Sequence, residues 1–298
     1  MLGTLNHAGK KMINRNWRQI SSLFAIFALY SSLGWAERSP SCDNSITSCG
    51  CTITRPGLYS VDADLSASQG LTSRRGCIDI DACDVKLFTN GHAITGNFTE
   101  TGSAIHILFG VWDVFIEGRF GSGSEPVNYS LVSGWRYGLR SAASNVVSGG
   151  FNYVQSRAGV LLNGAINNTI SNFGADNNSV YGVWIKNGSM QNQILNGGAN
   201  GNTIAGTFVG CSLTGPTGPS CVKEEDRSRH NYIYTMENLG NGSYGIALEK
   251  GSRNNIVTDT SESGNALFDL YDGNTHPSCD HNIWRANTFT TANQTCIQ

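Results

Sequence analysis

The chain has 298 residues, 36 of them glycine and only 14% of them charged, with a formal net charge of −2. So much glycine, against a usual share of about 7%, suits short strands joined by tight turns. A weakly acidic chain without a dense basic run is a poor candidate for nucleic acid, and the length fits one or two ordinary domains.

The first 36 residues read as a cleaved signal peptide. Lys10, Lys11, Arg15 and Arg18 precede an apolar run over Ile20 to Leu33, which is short for a membrane span, and Gly34-Trp35-Ala36 offers small residues for cleavage. Removal leaves 16 basic against 22 acidic residues, and a secreted or periplasmic protein with no membrane span. All nine cysteines follow Ala36, in keeping with an oxidising compartment. Cys211 with Cys221 and Cys279 with Cys296 bracket segments that disulfides would close. Cys77 and Cys83 are about 15–20 Å apart if a strand joins them, beyond bridging distance. They are expected to seek Cys42, Cys49 or Cys51 in an N-terminal cap, with one of the five unpaired.

Residues 37–76 are read as that cap and the first coil, with Pro56-Gly57 a turn signal. Short alternating runs follow over Leu58 to Leu65, Cys77 to Ile80 and Val85 to Phe88, then Ala104 to Phe109 and Val111 to Ile116. Gly118 to Pro126 is a connection. From Tyr137 the sequence restarts: YGLRSAAS, AGVLLNGA at Ala158, YGVWIKNG at Tyr181 and YGIALEKG at Tyr244. The leading glycines, Gly138, Gly159, Gly182, Gly206 and Gly245, are spaced by 21, 23, 24 and 39, the last being one period plus an insertion. Self-similarity at this period means a solenoid. No segment sustains a 3.6-residue apolar period, so almost no helix is expected.

Each repeat holds two or three strands of three to five residues, too few for successive hairpins. A coil that returns one strand spacing higher, about 4.8 Å, stacks like on like. Val160, Val183 and Ile246 would form one inward column, and Leu162, Ile185 and Leu248 the next. Recurring asparagines at the turns, as in Asn167-Asn168-Thr169 and Asn187-Gly188-Ser189, would form a hydrogen-bonded ladder. The fold class is therefore all-β. It is a single-stranded right-handed parallel β-helix over 77–298 of about nine coils, with disulfide-stapled ends, an inserted loop at 211–230 and a closing coil at 266–298.

TITRPGLYSVDADL (52–65) with CIDIDACDVKLFTNGHAITG (77–96), and FDLYDGN (268–274) with CDHNIWRANTF (279–289), carry a resemblance. It is to bacterial exported right-handed parallel β-helix proteins of the pectate-lyase-like superfamily and the periplasmic NosD-like copper-protein group. The resemblance implies the fold and leaves lyases, hydrolases, epimerases and binding proteins open. Relatives commonly carry an aspartate before the NGH turn, where this chain has Phe88-Thr89.

Function should lie on the outward positions of each coil's first strand: His106, Arg140, Leu161 with Asn163, Trp184 with Lys186, Phe208, Ala247 with Glu249, and Asp269 with Tyr271. Rings and charges along one exposed strip suit a polysaccharide, with His106, Trp184, Phe208 and Tyr271 as binding residues. A lyase acting on uronates needs a base, Lys186 or Tyr271, and a cation such as Arg140 to neutralise the carboxylate. A glycoside hydrolase needs two carboxylates, for which Glu249 and Asp269 on adjacent coils are the candidates. Calcium is the candidate cofactor, through Asp269, Asp272 and Asp280 or through Asp79, Asp81 and Asp84. No other metal set is assigned, since His276 and His281 lack a soft partner. The loop at 211–230 is expected to wall the strip near Phe208 and Glu249. The sequence thus points to an exported monomer that binds a polysaccharide, with uronates the acidic candidates. It either depolymerises that chain by β-elimination or serves as a non-catalytic binding, adhesive or structural module.

Overall fold

The structure is a computed structural model that describes residues 40–67, 76–97, 102–120, 128–218, 221, 223–274 and 278–298. The signal-peptide segment and His276 lie outside the described residues. Among these residues the elements are strands and two 3-10 turns, Glu224–Asp226 and Cys279–His281. No helix of the described residues is long and apolar enough to cross a membrane.

Two parallel sheets run the length of residues 40–298. The first has nine strands, one per coil: Cys51–Ile53, Gly76–Ile80, Ser103–Ile107, Tyr137–Ser141, Ala158–Asn163, Tyr181–Lys186, Ala205–Val209, Tyr244–Leu248 and Phe268–Asp272. The second has fifteen and takes the return strands, from Ser45–Ile46 to Ile283–Arg285. The chain is a right-handed parallel β-helix. Its inward columns are in register as the repeat requires. Leu139, Val160, Val183, Thr207, Ile246 and Leu270 form one stack, and Leu162, Ile185, Val209 and Leu248 the next. Every one of these side chains is fully buried.

In the second sheet six successive coils share a bend at a residue in the left-handed region: Gly150, Asn172, Asn196, Thr235, Asp259 and Ala286. The register skips these positions, so one bend recurs coil after coil. Asparagine and aspartate tolerate that conformation better than other side chains with a Cβ, and they fill three of the six places.

Two buried asparagine ladders cross the corners. In one, each side-chain Oδ1 accepts the backbone N–H of the coil before, through Asn168, Asn192, Asn231, Asn255 and Asn282, at 2.9–3.2 Å. From Asn192 onward each Nδ2 also donates to the next Oδ1, at 2.9–3.1 Å. The second ladder runs through Asn178, Asn202, Asn241 and Asn265 in the same way. The asparagines of the two sequons, Asn167 and Asn187, instead lie beside the ladder and pair with Asn145 and Asn163.

Each ladder points its amide donors toward the C-terminal end, and each ends on a carboxylate. Asn282 Nδ2 donates to Asp272 Oδ2 (3.1 Å) and Asn265 Nδ2 to Asp269 Oδ1 (2.8 Å). A head-to-tail row of amides leaves a donor at its end, and a carboxylate only accepts. The ends are stapled by Cys42–Cys51, Cys49–Cys77 and Cys279–Cys296, while Cys83 carries no disulfide.

Replacing Asn231 with Ala strands donors and acceptors on two neighbouring coils and should lower the unfolding free energy by about 2–4 kcal/mol. Asn187→Ala, on the exposed row, should cost less than about 0.5 kcal/mol. Chemical denaturation of both variants checks the difference.

Candidate functional site

The outward face of the first sheet carries the side chains that the repeat does not hold constant. Asp79, His106, Arg140, Leu161, Trp184, Phe208, Ala247 and Tyr271 form one column in register. Tyr137, Ala158, Tyr181, Ala205, Tyr244 and Phe268 form the other. From Tyr137 to Tyr244 rings alternate with alanine along this second column, and Phe268 follows Tyr244 directly.

The strip is not a solvated aromatic surface. Trp184, Phe208 and Tyr181 are fully buried, and with Tyr137, Ala158, Leu161, Ala205, Tyr244 and Ala247 they make a small second core. The inserted loop lies over them as a roof. Trp184 Nε1 donates to Gly210 O (2.7 Å), Tyr181 Oη donates to Ser212 O (3.0 Å) and Gly215 N donates back to Tyr181 Oη (3.0 Å). Cys211 and Cys221 are joined, and Cys211 N donates to Glu249 Oε2 (2.6 Å). Rings meet at centroid distances of 4.8–5.1 Å for Tyr181 with Phe208 and with Trp184. Trp184 and Phe208 therefore hold the roof and cannot stack on a ligand while it is in place.

Glu249 and Asp269 do not form a catalytic pair. Asp269 stands opposite Gly245, four residues back along the strand from Glu249, or about 13 Å. Both are only 1% exposed. Asp269 takes the backbone N–H groups of Thr290 and Thr291 besides Asn265. Burial opposes ionisation there, but these donors outweigh it and hold the carboxyl below its usual range. Glu249 anchors the roof. Burial pushes its carboxyl up to about 7, against the pull of the N–H groups of Cys211, Cys221 and Ser212 and of Arg227. Neither aspartate trio gathers. Among the described residues the group with donor atoms within 4.8 Å of one another is Cys211, Cys221 and Glu249, and its two sulfurs are bonded to each other. Tyr271 is half-buried against Tyr244 and Phe268, and burial raises its phenol.

Beyond the roof, toward the N-terminal coils, the same face is basic. Arg140 and Lys186 stand on adjoining outward rows, with Arg136 and Arg157 just before their strands. Lys186 Nζ lies 4.0 Å from the centroid of the Trp184 ring and Arg136 lies over Tyr137. Burial, then the charges of Arg140, Arg157 and Arg136, push Lys186 down to about 8. Among the described residues none of the four cations forms an ion pair; those present join His92 to Asp64, His106 to Asp79, Lys223 to Glu225, and Arg227 and Arg253 to Glu224. Arg140 Nε is buried without a hydrogen-bond partner. At the foot of the column His106 Nδ1 lies 3.2 Å from Asp79 Oδ1.

The structure thus places His106, Arg140 and Lys186 on one outward face of the first sheet, across three coil spacings, and takes Trp184, Phe208, Glu249 and Asp269 out of solvent. The sequence reading passes over Arg136 and Arg157 and places Asp79 only in a calcium trio, not beside His106. Their signal was present: Arg136 and Arg157 each directly precede a coil start, and Asp79 alternates outward between Ile78 and Ile80.

No known family profile and no curated protein sequence matches the chain. Among solved structures, the Dettilon tailspike protein gp208 is similar with a TM-score of 0.53 and 14% identity, over 73% of this chain and 46% of that one. The enzymatically active domain of tailspike protein 2 of bacteriophage CBA120 gives 0.41 and 13%, over 76% of this chain and 36% of that one. This chain therefore spans less than half of either, and the likeness to the first is one of fold.

An acid whose pKa rises on folding favours the folded state while protonated, so its stabilisation is fullest below the unfolded value and is lost as pH rises through the folded one. Glu249 should therefore make wild-type stability fall relative to Glu249→Gln by about 1–3 kcal/mol as pH rises from 4.5 to about 7. Denaturation of both proteins across that range checks it.

Proposed function

We propose that the protein binds an anionic polysaccharide on the basic outward face of the first sheet and cleaves it at uronate residues by β-elimination. The single observation that carries the reading is the gathering of Arg136, Arg140, Arg157 and Lys186 on one face, with no ion pair to any of them among the described residues. Like charges held together in a chain of net charge −2 repel one another, and an anion relieves them. Arginine forks match carboxylates two bonds at a time. The fold likeness to a tailspike protein is consistent with a long polymer lying across coils, and the four disulfides support export to an oxidising compartment.

β-Elimination needs a base near neutrality and a cation on the uronate carboxylate. Lys186 fits the first, because a lysine brought down to about 8 is partly neutral at working pH, and Arg140 fits the second. Tyr271 is the weaker base, since its phenol is raised and its ring belongs to the roofed cluster. The basic face, rather than the roofed aromatic strip, is the binding surface in this reading.

Wild-type protein should be retained in gels containing polygalacturonate, alginate or a glycosaminoglycan, and should release product absorbing near 235 nm from at least one of them. Arg140→Ala and Arg157→Ala should each weaken retention about tenfold and flatten its salt dependence by about one charge. Retention should also weaken above about pH 8 as Lys186 loses its proton. Retention unchanged in both variants would refute the basic face as the binding surface, whereas retention without product would leave binding alone.

A further inference from the structure

A groove of about 620 Å³ lies on the outward face of the second sheet, where the coils share their left-handed bend. Sites for small molecules usually hold about 300–1,000 Å³, so its size is that of a ligand site. Its room comes from missing side chains. Asn152, Gly174, Gly198, Glu237 and Ser261 stand in one register column, so two successive coils put glycine where their neighbours put a side chain. Asn152 and Glu237 are thus three coil spacings apart, about 14 Å, with an open floor between them. Gly197 deepens that floor, because the Phe173 ring has turned beneath it and a Cβ there would fall 2.5 Å from Phe173 Cε1. Along the bend, Asn172, Asn196, Thr235 and Asp259 give the groove one exposed hydrogen-bonding side chain per coil. Tyr129 stands at its N-terminal end, one coil before Asn152.

We propose that this groove binds an uncharged oligosaccharide, at a site separate from the basic face of the first sheet. Sugar hydroxyls both donate and accept, and the lining answers both needs. Asn152, Asn172, Asn196 and Thr235 carry amides and a hydroxyl, while Glu237 and Asp259 only accept. The apolar faces of the sugar are left for Phe173 and Tyr129. Among the described residues no lysine or arginine lines the groove, so its two carboxylates repel a polyanion. They occupy its C-terminal end only, and the rest of the lining is neutral, which favours hydroxyls over ammonium groups along the bound chain. The bend also presents its polar side chain at the same place on each coil, so a ligand with a repeated unit meets repeated partners. The two sheets then sort chains by charge, anionic on the first and uncharged on the second. Binding in the groove needs neither Lys186 nor Arg140, so it stands or falls apart from the chemistry of the basic face.

The probes are end-labelled maltohexaose, cellohexaose and mannohexaose, with a chitosan hexamer and hexagalacturonate as charged controls. Wild type should bind at least one uncharged hexamer, and excess hexagalacturonate should not displace it. Gly198→Gln refills the column, and the nearest neighbour of its Cβ would be the side-chain end of Asn200, 3.2 Å away, so the fold should hold. This variant should bind the hexamer at least about tenfold more weakly, with circular dichroism unchanged. Glu237→Gln removes a charged acceptor and should weaken binding by about tenfold. Arg140→Ala should bind the uncharged hexamer as wild type does. Full binding by Gly198→Gln, loss of binding in Arg140→Ala, or displacement by hexagalacturonate would put the ligand elsewhere and overturn the assignment. Silence toward all three uncharged hexamers overturns it as well, and tighter binding of the chitosan hexamer would make the groove a site for cations instead. Retention on polygalacturonate, measured alongside, reports on the basic face by itself.

Discussion

Two rows of asparagines, each passing its side-chain donors to the coil above, set the terms for everything else in this chain. A buried amide must find partners for its oxygen and both of its hydrogens, and here the partner is the same residue one coil away. Such a row tolerates neither a missing member nor a slipped register, so the coils stack with strict alignment and the apolar columns follow. The row also has a direction. A last donor has to meet an acceptor with no hydrogen of its own, and Asp269 and Asp272 supply it. Asp272 takes four such donations, from the backbone and side chain of Asn274, from Asn282 and from Trp284. That is why two aspartates on the last strand of the first sheet are buried.

An architecture so repetitive has few places to put an individual function. Inward positions are taken by packing and the corners by amides. What is left is the outward face, and the inserted loop divides even that. On one side of the division rings and alanines interdigitate beneath the roof and behave as interior. On the other, four half-buried cations gather with no ion pair to any of them among the described residues. A single insertion of about one coil's length thus turns one uniform face into a core and a basic surface.

The columns were legible because stacking converts period into contact. Val160 over Leu139, and Val183 over Val160, need only the spacing of the repeat. The ladder was legible for the same reason, although its buried members are Asn168 and Asn192, and not Asn167 and Asn187. The position of the loop beside Glu249 was legible; that it lies over the rings was not, since nothing in Trp184 or Phe208 tells whether another segment covers them. Their size suggested a binding platform and also suits a core, and coverage decides between the two. Arg136 and Arg157 carry no strand signal of their own, because both sit on the turn just before a strand.

The roofed aromatics still bear on the basic face, though not by touching a ligand. Lys186 lies on the Trp184 ring at the boundary between roof and open face, and Trp184 is fixed there by its bond to Gly210 of the loop. Burial against that ring is the largest reason that Lys186 is brought down to about 8, ahead of its three arginine neighbours. A lysine on a bare strip would keep its water and its proton. The loop, the disulfide that closes it and the Glu249 carboxylate that fastens it therefore act on the basic face at one remove. They make one wall dry, and a dry wall beside a crowd of cations is what turns an ordinary ammonium into a group able to take a proton near neutral pH.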